Sequence, residues 1–80
     1  MIVLLEVIQR VKKILSIQLG KEKIFDKELA FALEIDAQSL AVMKSRDIIP
    51  YKALAYFAKR QHISMNWILF GQQPIYLRDV

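Results

Sequence analysis

Apolar residues recur at the three- and four-residue spacing of an amphipathic helix from about Val3 to Gln18. Leu4, Val7, Ile8, Val11, Ile14 and Leu15 form its buried stripe, with Glu6, Arg10, Lys12 and Lys13 outside it. A basic loop, Leu19-Gly20-Lys21-Glu22-Lys23-Ile24, follows. The apolar pattern then changes register within a short span. Leu29, Ala30 and Leu33 share one face of a second helix from about Lys27 to Leu33, Ile35 falls in a turn, and Leu40 and Met43 lie one turn apart on a third helix over 36–45. All six can point into one core only if the two helices cross, which predicts a helix-turn-helix. Ala30 is the discriminating residue, since helices crossing steeply leave no room for a larger side chain. Asp26 and Asp36 are placed to cap the second and third helices.

Arg46-Asp47-Ile48-Ile49 closes the third helix, and Pro50 suits the first turn of a fourth that runs to about Gln61. That helix buries Leu54, Phe57 and Ala58 and exposes Lys52, Lys59 and Arg60. Ser64 is placed to cap a short fifth helix carrying Trp67, Ile68 and Phe70, which ends at Gly71. The expectation is an all-α, five-helix fold in a single domain spanning 1–80, with a core from about residue 3 to 71. Residues 72–80 form a C-terminal tail whose Ile75, Tyr76 and Leu77 are apolar enough to pack on something yet short enough to fray. No internal repeat or low-complexity linker interrupts the chain.

Composition narrows the function. A hydrophobic fraction of 55% in 80 residues is high for a chain that must expose much of its surface, so some apolar area is expected to meet a partner chain. The segments Ile2-Val3-Leu4-Leu5 and Ile75-Tyr76-Leu77 are the candidates for a homodimer contact. The absence of cysteine removes any disulfide framework and any thiolate metal site. The opening apolar run is interrupted at Glu6 with no basic residue before it, unlike a signal peptide or membrane span, so a cytoplasmic address is expected. A net charge of +4 favours an anionic partner, and nucleic acid is the usual one for a basic helical domain. An enzyme is not expected. His62 is the sole histidine and sits near a helix end, and no metal-spaced cluster, phosphate-cradling Gly-rich loop or nucleophile with a neighbouring base occurs. Neither cofactor nor metal nor small-molecule ligand is implied.

From Leu15 to Gly71 the order of residues resembles the N-terminal DNA-binding domain of bacteriophage CI-type repressors, a lambda-repressor-like fold. The resemblance rests on Asp26-Lys27-Glu28-Leu29-Ala30, on Lys44-Ser45-Arg46 after the recognition helix, on Ile49-Pro50-Tyr51 with Phe57-Ala58, and on Ser64-Met65-Asn66-Trp67-Ile68-Leu69-Phe70-Gly71. The chain departs from the family where Glu34 and His62 stand at positions usually held by Gly. Gly suits a positive φ there, so Glu34 is expected to carry mild strain or a modified turn. Met43 replaces a common Trp. Asp36-Ala37-Gln38-Ser39-Leu40-Ala41 replaces a hydroxyl-rich signature, removing groups that would reach DNA. Full-length members often add a C-terminal dimerisation or self-cleaving domain, which marks this chain as a separate small protein or a fragment of a longer repressor.

The resemblance implies a sequence-specific regulator that binds double-stranded DNA with helix 36–45 in the major groove. With Leu40 and Met43 inward, Ala37, Gln38, Ala41, Val42 and Ser45 become the candidate base contacts. Gln38 suits adenine and the alanine and valine suit thymine methyl groups, an A·T-leaning set. Phosphate contacts are expected from Lys21, Lys23, Lys27, Ser39, Lys44, Arg46, Tyr51 and Lys52, whereas Lys59 and Arg60 are expected to be solvated charges. The rival reading is a protein-interaction or oligomerisation module on the same scaffold, which Ala41, Val42 and Phe31 would serve.

Overall fold

The computed structural model describes residues 1–77; Arg78, Asp79 and Val80 of the expected tail lie outside the described residues. Five helices follow in order: α1 (Leu4–Leu19), α2 (Asp26–Ala32), α3 (Ala37–Arg46), α4 (Tyr51–Gln61) and α5 (Met65–Phe70). The all-α expectation holds. The six residues of the α1 stripe are all buried, and with Leu29, Ala30, Leu33, Leu40, Leu54, Phe57, Ile63 and Ile68 they form one continuous core. α1 packs against α2 and α5, α2 against α3, and α4 against α5.

Helix ends share one device. Each helix stops beside a residue in the left-handed conformation: Gly20, Glu34, Asp47, His62 and Gly71. After α2 the Ile35 N–H donates to the Ala30 carbonyl at 3.0 Å and the Glu34 N–H to that of Phe31 at 3.1 Å. These are the paired bonds that satisfy the last carbonyls of a helix and turn the chain sharply. Ile48 N–H to Met43 O (3.0 Å) and Ile63 N–H to Ala58 O (2.9 Å) repeat the pattern after α3 and α4. At all three non-glycine stops the next residue is isoleucine, and Ile35 and Ile63 turn back into the core.

Several details differ from the sequence reading. Asp26 is the first residue of α2 rather than its cap. Phe25 precedes the helix, its N–H donating to the Glu28 carboxylate at 3.2 Å, while Asp26 turns to lysines. Asp36 stands at the start of α3 but its carboxylate accepts no capping bond, and Pro50 lies just before α4. Ser64 does cap α5, its Oγ accepting from the Trp67 N–H at 3.4 Å. Phe70 is exposed. Past Gly71 the chain returns to Ile63. The Ser64 N–H donates to the Ile75 carbonyl and the Leu77 N–H to the His62 carbonyl, each at 2.8 Å, an antiparallel bridge that packs Ile75 on the core. A single bridge closed around the whole of α5 leaves little apolar periodicity to betray it.

Glu34 and Gly71 hold opposite residues at equivalent backbone positions. Glu34 has φ 57° with a side chain that must bear it, and Gly71 has φ 75° with the Arg10 guanidinium 3.2 Å from where a Cβ would lie. Glu34→Gly is expected to raise stability by about 1 kcal/mol and Gly71→Ala to lower it by about 1–2 kcal/mol in urea unfolding. A destabilised Glu34→Gly would show instead that its bond to Arg60 outweighs the backbone strain.

Candidate nucleic-acid interface

α2 and α3 present the surface to be judged. Burial of Leu40 (1% exposed) and partial burial of Met43 fix the rotation of α3, so Ala37, Gln38, Ser39, Ala41, Val42 and Ser45 are all exposed. Lys44 and Arg46 stand in its last turn, where cations also meet the negative end of the helix dipole. The flanks of this face come from elements far apart in sequence. Lys27 and Phe31 of α2 share a hollow with Ala37 at one end of α3. Ile48 and Met43 border both the hollow over Gln38, Ala41 and Val42 and the groove lined by Tyr51 and Lys52 at the start of α4. The structure therefore brings Lys27, Tyr51 and Lys52 to the margins of the α3 face.

The lysines divide into two kinds. Lys44 Nζ lies 2.6 Å from Asp26 Oδ2, and Lys12 Nζ lies 2.8 Å from Oδ1 of the same carboxylate. One acid thus ties α1, the start of α2 and the end of α3. Lys21 Nζ is 2.6 Å from Glu28 Oε2, and Lys23 Nζ sits 5.1 Å from the centre of the Phe25 ring. Lys27, Arg46 and Lys52 make no ion pair among the described residues, so their charge is displayed to solvent.

Arg60 is not the solvated charge expected of it. Its guanidinium donates to Glu34 Oε2 at 3.0 Å and to the Ala32 carbonyl at 2.9 Å, bracing the turn between α2 and α3 from the end of α4. Asp47 Oδ1 likewise accepts from the Leu4 N–H at 2.9 Å, satisfying an orphan donor at the start of α1. Lys12, Asp26, Asp47 and Arg60 are the residues that sequence reasoning missed in these roles. Their partners lie between 14 and 43 residues away, beyond any local pattern. The expected dimer segments are partly consumed by the chain itself. Leu4 is buried and Ile2 and Ile75 pack on the core, leaving Leu5, Tyr76 and Leu77 exposed.

Two short helices packed on one another across a tight turn, the second with an exposed outer face, and carried on three further helices, define a helix-turn-helix domain. Residues 6–76 match the model of the bacteriophage CI repressor helix-turn-helix domain, and the chain belongs to that family of DNA-binding repressor domains. Neither the comparison with curated proteins nor that with solved structures finds a match. No helix among the described residues is long and apolar enough to cross a membrane.

Hydrogen bonds from Lys12 and then Lys44 hold the Asp26 carboxyl below its ordinary range, and those from Lys21 and then the Phe25 N–H do the same for Glu28. A depressed folded value means the stabilisation is complete above the unfolded value of about 4 and is lost as pH falls through the lower folded value. Both carboxylates are substantially exposed, so the Asp26 pairs are worth about 1 kcal/mol or less. Asp26→Asn should lower urea stability by that amount at pH 6 and lose less than the parent between pH 5 and pH 2. Parallel pH profiles for the two proteins would remove Asp26 from the acid response.

Proposed function

We propose that this chain is a sequence-specific double-stranded DNA-binding domain of a repressor-like transcriptional regulator, with α3 lying in the major groove. The single observation that carries the reading is the exposed α3 face with Lys27 in the hollow at its start, Tyr51 and Lys52 in the groove beside Met43 and Ile48, and Arg46 at its end. A groove-bound helix needs phosphate-binding groups on both sides of it, because the two backbones flank the groove. Base contacts fall to Ala37, Gln38, Ala41, Val42 and Ser45. Phosphate contacts fall first to Lys27, Arg46, Tyr51 and Lys52, with Ser39 and Lys23 beside them. Lys21 and Lys44 must exchange a carboxylate for a phosphate before they contribute. One copy covers about half of a symmetric operator, and within the two terminal apolar segments Leu5, Tyr76 and Leu77 are the exposed groups for contact between two copies.

The rival role as a protein-interaction module draws on Phe31, which is 86% exposed on α2, and on the apolar groove between the α2–α3 turn and α4. Salt separates the two, since phosphate binding releases counterions and apolar contact does not. Fluorescence-anisotropy titration with mixed-sequence duplex should show affinity falling steeply from 50 to 200 mM salt. A Lys27→Ala/Arg46→Ala/Lys52→Ala variant should reduce the slope of log K against log salt by about 2–3. Absence of duplex binding at 50 mM salt, with the variant still folded, would favour the protein-interaction role.

A further inference from the structure

The outer face of α3 is poor in hydrogen-bonding groups. Gln38 supplies its one amide, Ser39 and Ser45 supply short hydroxyls, and Ala37, Ala41 and Val42 present only carbon, Val42 with 48% of its surface exposed. Gln38 lies one helical turn before Ala41 and Val42, so the amide and the two apolar groups form one patch. The same three residues wall a shallow hollow closed on its far side by Met43 and Ile48.

Each base pair in the major groove demands its own chemistry. Guanine is read through O6 and N7 by a paired donor from Arg or Lys. The cations of α3 are Lys44 and Arg46; Lys44 is held by Asp26 at 2.6 Å, and Arg46 is the last residue of the helix. Adenine is read through N6 and N7 by a side-chain amide, which Gln38 has. Thymine alone among the ordinary bases projects a methyl group into the groove, and that group rewards carbon. Asp36, at the lip of the hollow, can accept from an adenine or a cytosine amine and does not tell the two apart.

We infer that α3 recognises A·T pairs through the thymine C5-methyl group, with Ala41 and Val42 packed on the methyls of neighbouring thymines and the Gln38 amide paired to an adenine. The inference rests on the major-groove reading proposed above and names what that reading recognises. It assigns discrimination to a group that deoxyuridine lacks, although uracil pairs with adenine as thymine does.

The test begins with duplexes selected by the purified chain from a randomised pool and resynthesised with deoxyuridine for thymidine. An A·T core is expected, with Kd rising about fourfold for each contacted thymine that loses its methyl. The salt slope should stay unchanged, because no phosphate contact is altered. Val42→Ser should bring the thymine-to-uracil affinity ratio toward one, and Gln38→Ala should weaken binding to the selected duplex about tenfold. Both side chains are exposed, so thermal melts should match the parent. A selected core of G·C pairs, or equal affinity for the thymine and uracil duplexes, would overturn methyl recognition and leave duplex binding standing. Failure to bind or enrich any duplex at 50 mM salt would remove the major-groove reading itself, and this inference with it.

Discussion

The left-handed stop at Glu34 sets where α2 ends and how α3 leaves it. It ends α2 within seven residues and satisfies the last carbonyls through the Ile35 and Glu34 N–H groups. It also sends α3 off at an angle that buries Leu40 and leaves Gln38, Ala41 and Val42 outside. A longer or straighter connection would turn α3 and mix its core and outer faces. Glutamate pays a conformational penalty there that glycine would not, and its carboxylate recovers part of it through Arg60. Arg60 also bonds the Ala32 carbonyl, so α4 holds both sides of the turn from below.

Asp26 organises the electrostatics as Glu34 organises the backbone. A carboxylate at the first residue of a helix is favoured by the dipole, and two lysines from other helices converge on it. The arrangement joins three helices through one carboxylate. It also lowers the positive potential beside α3, because Lys44 is paired within the chain. Lys27, Arg46 and Lys52, by contrast, have no acidic partner among the described residues.

The apolar groups on the surface follow from size. A chain of 80 residues with 55% hydrophobic composition cannot bury them all. Phe31, Ile48, Tyr51 and Tyr56 remain substantially exposed around the crossing, and Leu5, Tyr76 and Leu77 remain so elsewhere. The former group adjoins the α3 face. Of the latter group, Leu5 shares a hollow with Lys44 and Asp47 at the end of α3, and Tyr76 and Leu77 lie at the bridge to Ile63.

Periodicity alone determined the number and type of helices and named nearly every core residue, because a helix buries one face and the spacing of apolar residues records which. It likewise determined the outer face of α3, since Leu40 and Met43 settle the rotation and the remaining positions follow. Two of the non-glycine stops were legible through the resemblance to a family that usually has Gly where Glu34 and His62 stand, whereas the left-handed Asp47 was not. Tertiary structure alone decided which charges pair. Asp26 was read as a cap and Arg60 as a solvated charge, because each was judged by its neighbours in sequence, and the Lys44 pair with Asp26 was not foreseen. Ion pairs between helices depend on crossing angles and distances that periodicity does not contain, and so do the return of Ile75 to the core and the margin that Lys27 and Lys52 form around α3.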